Sequence, residues 1–322
     1  AQEKNIEITH VCLAETVYSL MIYMLLVKEE DLKKTFFFVS ESLPYSIIKK
    51  MSYSHCFHIP QKRYMKWLFR IQLYWTSMFR WPFIKHCRIY GSDNYLFSSG
   101  VVRENKMTLI EDGASNYSLL PSDRRVFFLK KFLMGNIAAY GCGGVSPNVY
   151  KICLTGLMPI PTAIKDKVEI ISIENKWNSL TDSYKKLIQY VFDFSISDLD
   201  DIKSKKTVLF TQPMWEDGLI EKEEEISLYN QLLSDCDMEN LVIKVHPRDT
   251  MDYSSLFPKA YIFTKKIPME LLSLFGVRFT DVYTVFSTAA LVLPYKANIH
   301  FMGTTVHPNL LKMRGKIEYL ER

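Results

Sequence analysis

Residues 207–248, TVLFTQPMWEDGLIEKEEEISLYNQLLSDCDMENLVIKVHPR, decide the fold class of this chain. The runs TVLFT (207–211) and LVIKV (241–245) have the length and the β-branched, apolar character of buried strands. Residues 222–236, which lie between them, predict a helix. A strand, a helix and a second strand in succession are typical of the parallel sheets of α/β proteins.

The same alternation extends in both directions from this stretch. Further strands are predicted at 6–13, 35–40, 56–59, 88–90, 106–110, 168–173, 260–263 and 281–286, and helices at 15–30, 180–194, from about 268, 289–293 and 309–322.

The segment LMPIPT (157–162) contains two prolines and no periodic pattern, so we interpret it as a linker. The sequence therefore predicts an α/β protein with two Rossmann-like domains, 1–156 and 157–322, that face a central cleft. Whether the last helix packs back on the N-terminal domain stays open at this point. Ligands of such sheets bind beyond the carboxyl ends of the strands.

Composition excludes several classes of protein. With 48% hydrophobic and 23% charged residues among 322, each half can bury a core, and a net charge of +5 is too small to indicate nucleic-acid binding. The six cysteines have no paired spacing, which predicts free thiols and no metal site. The apolar run 17–27 is too short to span a bilayer, and the N-terminus lacks the pattern of a signal peptide.

Residues 61–89, QKRYMKWLFRIQLYWTSMFRWPFIKHCRI, interleave basic and aromatic side chains, and 123–133 repeat this texture. Helices of this kind can lie at an anionic membrane surface. The alternative is an amphipathic helix whose aromatic side packs on the domain core. Both interpretations can hold for different rings.

Three polar clusters follow predicted strands. Glu111-Asp112-Gly113 comes after MTLI, where a carboxylate is well placed to take a proton from a hydroxyl, and a second acid beside it can raise its pKa. His246-Pro247 follows LVIKV, and its histidine can donate a hydrogen bond to a departing phosphate. Ser287-Thr288 precedes a predicted helix, whose first N–H groups can bind phosphate. Each cluster also has an ordinary structural interpretation, as a turn or a helix cap.

Rival motifs are missing. The chain has no G-x-G-x-x-G after a strand, no P-loop and no G-x-S-x-G elbow. Asp198-Leu199-Asp200 has the acid spacing of metal-dependent sugar-nucleotide enzymes, but its polar surroundings favour a solvated helix end or loop.

The three clusters, in this order and in the contexts LIEDG, IKVHPR and YTVFSTAALVL, resemble the bacterial sialyltransferases of glycosyltransferase family 52. The resemblance implies a GT-B fold, an N-terminal acceptor-binding domain, a C-terminal domain for a CMP-sialic acid donor, inversion at the anomeric carbon and no metal or other cofactor. It implies Asp112 as the general base, His246 as the group that assists departure of CMP, and Ser287 and Thr288 as phosphate ligands. Glu111, Gly113 and Pro247 belong to the same motifs and are predicted on the donor side.

Two further donor contacts are predicted from position alone. Thr211-Gln212 ends the strand TVLFT and should face the nucleotide, and Glu270, at the start of a helix, can accept hydrogen bonds from ribose hydroxyls. A purely structural role for Glu270, as an acid that stabilises the first turn of a helix, is an equally open alternative to ribose binding.

The resemblance further implies transfer to a galactose-type hydroxyl of a lipooligosaccharide, O-antigen or capsule glycan, with α-2,3 linkage, at the inner face of the bacterial cytoplasmic membrane. A polysialyltransferase and a GT-B transferase that uses another CMP- or UDP-sugar remain alternatives. A membrane-surface or polymer-binding module is the non-enzymatic alternative, but it leaves the three polar clusters unexplained. The oligomeric state stays open.

Overall fold

The computed structural model describes residues 7–117, 119–121, 123–291, 293 and 295–318. The side chains of residues 114, 120, 121, 124, 288 and 291 are outside this description. The chain divides into two compact units, Ala1–Asp193 and Phe194–Arg322.

The first unit is built on a seven-stranded, wholly parallel sheet with the order β3-β2-β1-β4-β5-β8-β9. Its central strands are buried along almost their whole length, as expected for strands that are covered on both faces. A two-stranded antiparallel pair, β6 and β7, lies apart from it. The strands are β1 His10–Ala14, β2 Thr35–Ser40, β3 Ser54–Phe57, β4 Arg88–Gly91, β5 Met107–Ile110, β6 Leu120–Pro121, β7 Gly141–Cys142, β8 Val149–Leu154 and β9 Val168–Ile170.

The helices of the first unit connect and flank these strands. The first begins at Val17, two residues later than predicted, because Thr16 is its N-cap and accepts a hydrogen bond from Ser19 N at 3.1 Å. The helices are α1 Val17–Leu26, α2 Glu29–Leu32, α3 Tyr45–Ile48, α4 Arg63–Arg80, α5 Ser98–Val102, α6 Phe127–Tyr140, α7 Ile173–Asn178 and α8 Asp182–Val191. Within the described ranges, no helix is both long and apolar enough to cross a bilayer.

The strand order of the first sheet reverses between β1 and β4, which are neighbours although β2 and β3 separate them in the chain. Gly91 at the end of β4 makes this close pairing possible, since a Cβ atom there would lie 2.6 Å from the Cβ of Leu13. Such a switch point is where open α/β sheets bind ligands. Residues that follow β1, β4 and β5 are therefore the candidates for a site in this unit.

The boundary between the units differs from the predicted one at 156/157. Residues 157–193 belong to the first unit, because β9 pairs with β8 and because Tyr184 of α8 donates a hydrogen bond to Met24 O of α1 at 2.9 Å. The prolines of LMPIPT thus lie in the connection between two neighbouring strands of one sheet, and not in a linker between domains.

The second unit contains a five-stranded parallel sheet with the order β12-β11-β10-β13-β14. Here too the order reverses beside the first strand of the unit, between β10 and β13. The strands are β10 Thr207–Phe210, β11 Leu241–Lys244, β12 Tyr261–Phe263, β13 Asp281–Thr284 and β14 Asn298–Phe301.

Two predicted helices of the second unit are shorter or different in kind. The predicted helix at 289–293 is a 3-10 turn, Thr288–Leu291, and the predicted helix at 309–322 is the short Pro308–Arg314. In the latter helix, Arg314 pairs with Asp217 of the same unit. The helices are α9 Ser197–Lys203, α10 Lys222–Leu232, α11 Tyr253–Leu256, α12 Met269–Leu274 and α13 Pro308–Arg314.

Candidate active-site residues

Asp112 lies just beyond the end of β5 and is held by hydrogen bonds to uncharged side chains. Thr16 Oγ1 donates to Asp112 Oδ1 at 2.5 Å, and the backbone N–H of Asp112 donates to Asn116 Oδ1 at 2.6 Å. Burial raises the pKa of Asp112, while hydrogen bonds from Thr16, Tyr95 and Ser19 act in the opposite direction. This is the environment of a carboxylate that can accept a proton, and the cause is burial rather than the predicted repulsion from Glu111.

Glu111 is completely buried and fully engaged. Its carboxylate accepts hydrogen bonds from Tyr18 Oη at 3.0 Å, Tyr117 Oη at 2.9 Å, Thr155 N at 2.5 Å and Thr155 Oγ1 at 2.9 Å. These bonds connect the end of β5 with the segment that follows β8. The prediction that Glu111 contacts the donor is corrected accordingly, because a buried carboxylate with these partners holds the loop in place.

Gly113 has φ +124°, which is a conformation that L-residues rarely adopt, although a Cβ atom at this position would meet no other atom within 4 Å. The glycine therefore serves the turn that follows Asp112. A contact between Gly113 and the donor remains a prediction.

Glu15 is a second carboxylate at this place, and the sequence analysis missed it. It follows β1, next to Thr16, which binds Asp112. Burial raises the pKa of Glu15 to about 7; the hydrogen bond with Ser40 lowers it and the charge of Asp112 raises it further. Its position directly after the first strand, at the switch point of the sheet, is the signal that would have found it.

His246 follows β11 in the second unit, and its orientation is set by two hydrogen bonds. Its backbone N–H donates to Thr211 Oγ1 at 2.9 Å, and its Nδ1 accepts from Arg248 N at 3.2 Å. The lone pair of the neutral ring is therefore on Nδ1 and the proton on Nε2. Burial, followed by the charge of Arg248, lowers the pKa of His246 to about 4, so the ring is neutral at physiological pH.

Ser287 follows β13, and its surroundings differ from the predicted helix N-terminus. Phe286 N donates to Gln212 Oε1 at 2.9 Å and Ser287 N donates to Thr284 Oγ1 at 2.9 Å, so these N–H groups already have partners. A phosphate here would thus be met by the Ser287 side chain rather than by those backbone groups. Thr288 begins the 3-10 turn, but its side chain is outside the described part of the structure.

A pocket of about 290 Å³ lies beyond the ends of β10, β11 and β13. It brings together two of the predicted clusters, His246 and Ser287, and the predicted Gln212. Its polar lining residues are Gln212, Asp217, His246, Arg248, Ser287 and Arg314.

Three described residues of the second unit that were predicted on the donor side do not line this pocket. Thr211 is only 2% exposed and accepts the hydrogen bond from His246 N, so it supports the loop instead of facing a ligand. Pro247 is exposed beside the pocket. Glu270 lies in the first turn of α12, where its charge raises the pKa of Lys244, which burial lowers to about 8. Ribose binding by Glu270 remains a prediction.

Asp217 is a pocket residue that the sequence analysis missed. Arg248 donates to both of its carboxylate oxygens, and Arg314 Nη2 donates to Oδ2 at 2.9 Å. Glu216-Asp217-Gly218 repeats the letters of Glu111-Asp112-Gly113, again beyond a strand. The repeated Glu-Asp-Gly motif is the sequence signal that could have revealed Asp217.

Possible metal ligands are dispersed. Across the described parts of the chain, no three His, Cys, Asp or Glu side chains gather as ligands of an ion would. Asp198, of the acid pair considered above, lies in the first turn of α9 and is paired with Lys265 at 2.7 Å.

Comparison with known proteins identifies the family. The model of glycosyltransferase family 52 matches residues 84–310. An uncharacterised protein of Haemophilus influenzae is 36% identical over 235 residues, which cover 72% of this chain and 73% of that protein.

Solved structures show the same fold at low identity. A 2,6-sialyltransferase of Photobacterium sp. JT-ISH-224, in complex with CMP and lactose, matches with a TM-score of 0.61 and 12% identity over 91% of this chain and 71% of that one. An α-2,3-sialyltransferase of Photobacterium phosphoreum matches with a TM-score of 0.54 and 13% identity, and the match covers 96% of this chain and 95% of that one. The predicted α/β fold with two Rossmann-like domains of the GT-B type is confirmed. The chain belongs to glycosyltransferase family 52.

Proposed function

We propose that this enzyme is an inverting sialyltransferase, which moves sialic acid from CMP-sialic acid to a galactose-type hydroxyl of a bacterial surface glycan, with α-2,3 linkage. The observation that carries the proposal is the pocket at the ends of β10, β11 and β13, where His246 and Ser287 meet. CMP-sialic acid has a single phosphate, and a pocket of side-chain donors suits one phosphate group. The matching fold of an enzyme that binds CMP and lactose supports this assignment.

His246 suits the departure of CMP. Its proton is on Nε2, because Nδ1 accepts from Arg248 N, so the neutral ring can donate a hydrogen bond to the phosphate. As the bond between the anomeric carbon and the phosphate oxygen breaks, the phosphate gains negative charge, and this donor stabilises it. The hydroxyl of Ser287 would bind the same phosphate.

Asp112 suits the other half of the reaction. The acceptor oxygen forms a bond to the anomeric carbon on the face opposite CMP, and its proton passes to the Asp112 carboxylate. Thr16 holds that carboxylate through Oδ1. The raised pKa of Asp112 makes it a stronger base than an exposed aspartate.

Turnover would need no metal ion, because hydrogen bonds can stabilise the charge of one phosphate where a diphosphate usually recruits a cation. Product formation from CMP-sialic acid and a panel of galactosides, in the presence and absence of EDTA, tests donor, acceptor and metal together. Product analysis distinguishes α-2,3 from α-2,6 linkage and one added sialic acid from a polymer. Loss of all product with EDTA, restored by a divalent cation, would reject the metal-independent mechanism.

The nucleotide can be tested separately by thermal shift. A ligand that binds only the folded protein raises its melting temperature, so CMP should stabilise the protein and UDP and GDP should not. The His246→Ala variant should lose most of the CMP response. His300→Ala is the control, because His300 lies on β14 of the same unit, where it pairs with Asp281. A response to UDP alone would favour the alternative donor class.

We also propose that a surface formed by α4 and α6 contacts the membrane that carries a lipid-linked acceptor. Tyr64, Leu68, Trp75 and Phe79 recur on one side of α4, and all are exposed, with Phe79 at 79%. Phe132 of α6 contacts Trp75 edge-on, with ring centroids 5.9 Å apart, and Phe128 and Leu129 of the same helix are also exposed. Contiguous exposed apolar surface of this kind marks an interaction site. The opposite face of α4, with Leu73, Tyr74 and Ser77, is buried, so both interpretations of this helix apply to different residues.

Charge favours an anionic lipid surface as the occupant. Residues 61–89 and 124–140 contain eleven Lys and Arg and no Asp or Glu, whereas the rest of the chain contains 29 basic and 35 acidic residues. Two such surfaces would repel each other, which argues against a second copy as the partner. Co-sedimentation with vesicles containing phosphatidylglycerol should be lost in Phe79→Ser and Phe128→Ser, while vesicles of phosphatidylcholine alone bind weakly. Equal binding of the variants would reject this surface.

A further inference from the structure

Two arginines from separate elements of the second unit converge on one carboxylate. Arg248 follows β11 and donates from Nη1 to Oδ1 and from Nη2 to Oδ2 of Asp217, the latter at 3.2 Å. Arg314 ends α13 and donates from Nη2 to Oδ2 at 2.9 Å. All three residues line the pocket that contains His246 and Ser287.

The two arginines have more positive charge and more hydrogen-bond donors than Asp217 alone requires. Two guanidinium groups, which remain protonated in proteins, meet one carboxylate, so the cluster has an excess of one positive charge. The side chains of Arg248 and Arg314 are 63% and 43% exposed, whereas that of Asp217 is 16% exposed. Each guanidinium has five N–H donors, and the three bonds to Asp217 leave several of them for a second anion.

The chemistry of the proposed donor indicates which anion this is. In CMP-sialic acid the anomeric carbon bears both the phosphate oxygen and a carboxylate. A phosphate that is bound at His246 and Ser287 therefore brings a carboxylate into the same pocket. The planar fork of arginine matches a carboxylate with two parallel hydrogen bonds.

We propose that Arg248 and Arg314, held in place by Asp217, bind the carboxylate of the sialyl group and so select a donor with an acidic sugar. This inference rests on the proposed function. It assigns Asp217 a positioning role, because that residue acts through the two arginines.

Calorimetric titration with CMP and with CMP-sialic acid tests the inference, because CMP retains the phosphate and lacks the carboxylate. In Arg314→Gln and in Arg248→Gln, the Kd of CMP-sialic acid should rise about tenfold or more, the usual effect of losing a charge-assisted hydrogen bond. The Kd of CMP should stay within about twofold of the wild-type value, since the phosphate contacts are retained. Lys312→Gln, which removes a positive charge from the same helix outside the pocket, should change neither.

Asp217→Asn supplies a second readout. It should raise the KM for CMP-sialic acid and leave kcat within a few-fold, and Arg314→Lys, which keeps the charge but loses the fork, should recover only part of the binding. Parallel weakening of CMP and CMP-sialic acid in the arginine variants would overturn the inference, because the arginines would then hold the phosphate. Unchanged binding of both ligands would overturn it as well. If the wild-type protein bound CMP but not CMP-sialic acid, the proposed function itself would fail, whatever the variants did.

Discussion

The two Glu-Asp-Gly triplets of this chain have the same letters and different surroundings. In the first unit, Asp112 is bound by the hydroxyl of Thr16 in a place where burial raises its pKa. In the second unit, Asp217 is bound by two guanidinium groups at a pocket. Burial raises the pKa of Asp112 and so favours proton uptake, whereas the oxygens of Asp217 accept hydrogen bonds from two cations beside the pocket. The partners of the aspartate, rather than the motif, therefore determine which triplet supplies a base.

The glutamates of the two triplets are more alike. Glu111 accepts hydrogen bonds from Thr155 across the sheet, and Glu216 Oε1 accepts from Thr250 N at 2.6 Å and Thr250 Oγ1 at 2.7 Å. Each glutamate thus connects its own loop to another loop of the same unit. The motif has one structural position, the glutamate, and one position whose role depends on its neighbours, the aspartate.

The largest expected difference between the triplets is catalytic. Asp112→Asn should lower kcat by about 10²–10⁴-fold, which is the usual contribution of a general base, and leave the donor KM nearly unchanged. Asp217→Asn should act mainly on the donor KM. Initial rates at varied CMP-sialic acid concentration measure both. If Asp217→Asn abolished kcat while Asp112→Asn remained active, the assignment of the two aspartates would have to be reversed.

The next effect concerns stability. Glu111→Gln should lower the free energy of unfolding by about 2 kcal/mol, because an amide offers one acceptor oxygen to donors that now share two. Urea denaturation measures this loss. Glu216→Gln is the matched comparison, and it should cost less, because one oxygen accepts both bonds from Thr250 while Oε2 has no partner in the described structure. Equal losses would show that the two glutamates contribute alike to their units.

The fold could be predicted largely from apolar runs. Thr35–Ser40 matches its predicted strand, because a continuous β-branched and aromatic run has few alternatives to a buried strand. Of the strands in the two parallel sheets, Val149–Leu154 and Asn298–Phe301 were missed. The second is an edge strand with alternating exposure, so its four residues carry little apolar signal. The domain boundary was placed too early because prolines occur in connections within a sheet as well as between domains.

The candidate site was only partly predictable. Residues at strand ends, such as Asp112, His246 and Ser287, could be named because parallel strands all end at the same edge of the sheet. Glu15 also follows a strand directly, and so could have been named on the same ground. Arg314 could not, because its role depends on Asp217, which lies 97 residues away in the sequence. The backbone N–H groups near Ser287 were wrongly predicted to be available for phosphate, because the hydrogen-bond partners of an N–H group cannot be deduced from the sequence.

A smaller effect is expected from Glu15, a further carboxylate beside the first triplet. Its pKa of about 7 is above the ordinary 4.5, so the folded protein binds this proton more tightly than the unfolded chain. The resulting stability is present below about pH 4.5 and is lost as the pH rises through 7. In Glu15→Gln, the free energy of unfolding should vary less over this range. Urea denaturation of the wild type and the variant at pH values from below 4.5 to above 7 measures this. An equal dependence on pH in the two proteins would show that Glu15 does not bind this proton.

The smallest effect separates the glycines of the two triplets by backbone strain alone. A Cβ atom would meet nothing within 4 Å at either glycine, but Gly113 has φ +124° and Gly218 has φ +66°. The second value lies in the left-handed region, which an L-residue can occupy at a cost of about 1 kcal/mol, so Gly218→Ala should lower the free energy of unfolding by about that amount. The first lies outside that region, so Gly113→Ala should cost more or force the turn beside Asp112 to rearrange, with loss of kcat. Gly218→Asn should be milder than Gly218→Ala, because asparagine tolerates the left-handed region, whereas Gly113→Asn should give no such relief. If asparagine restored both positions equally, the two turns would be equivalent in conformation, and only the partners of the two aspartates would distinguish the triplets.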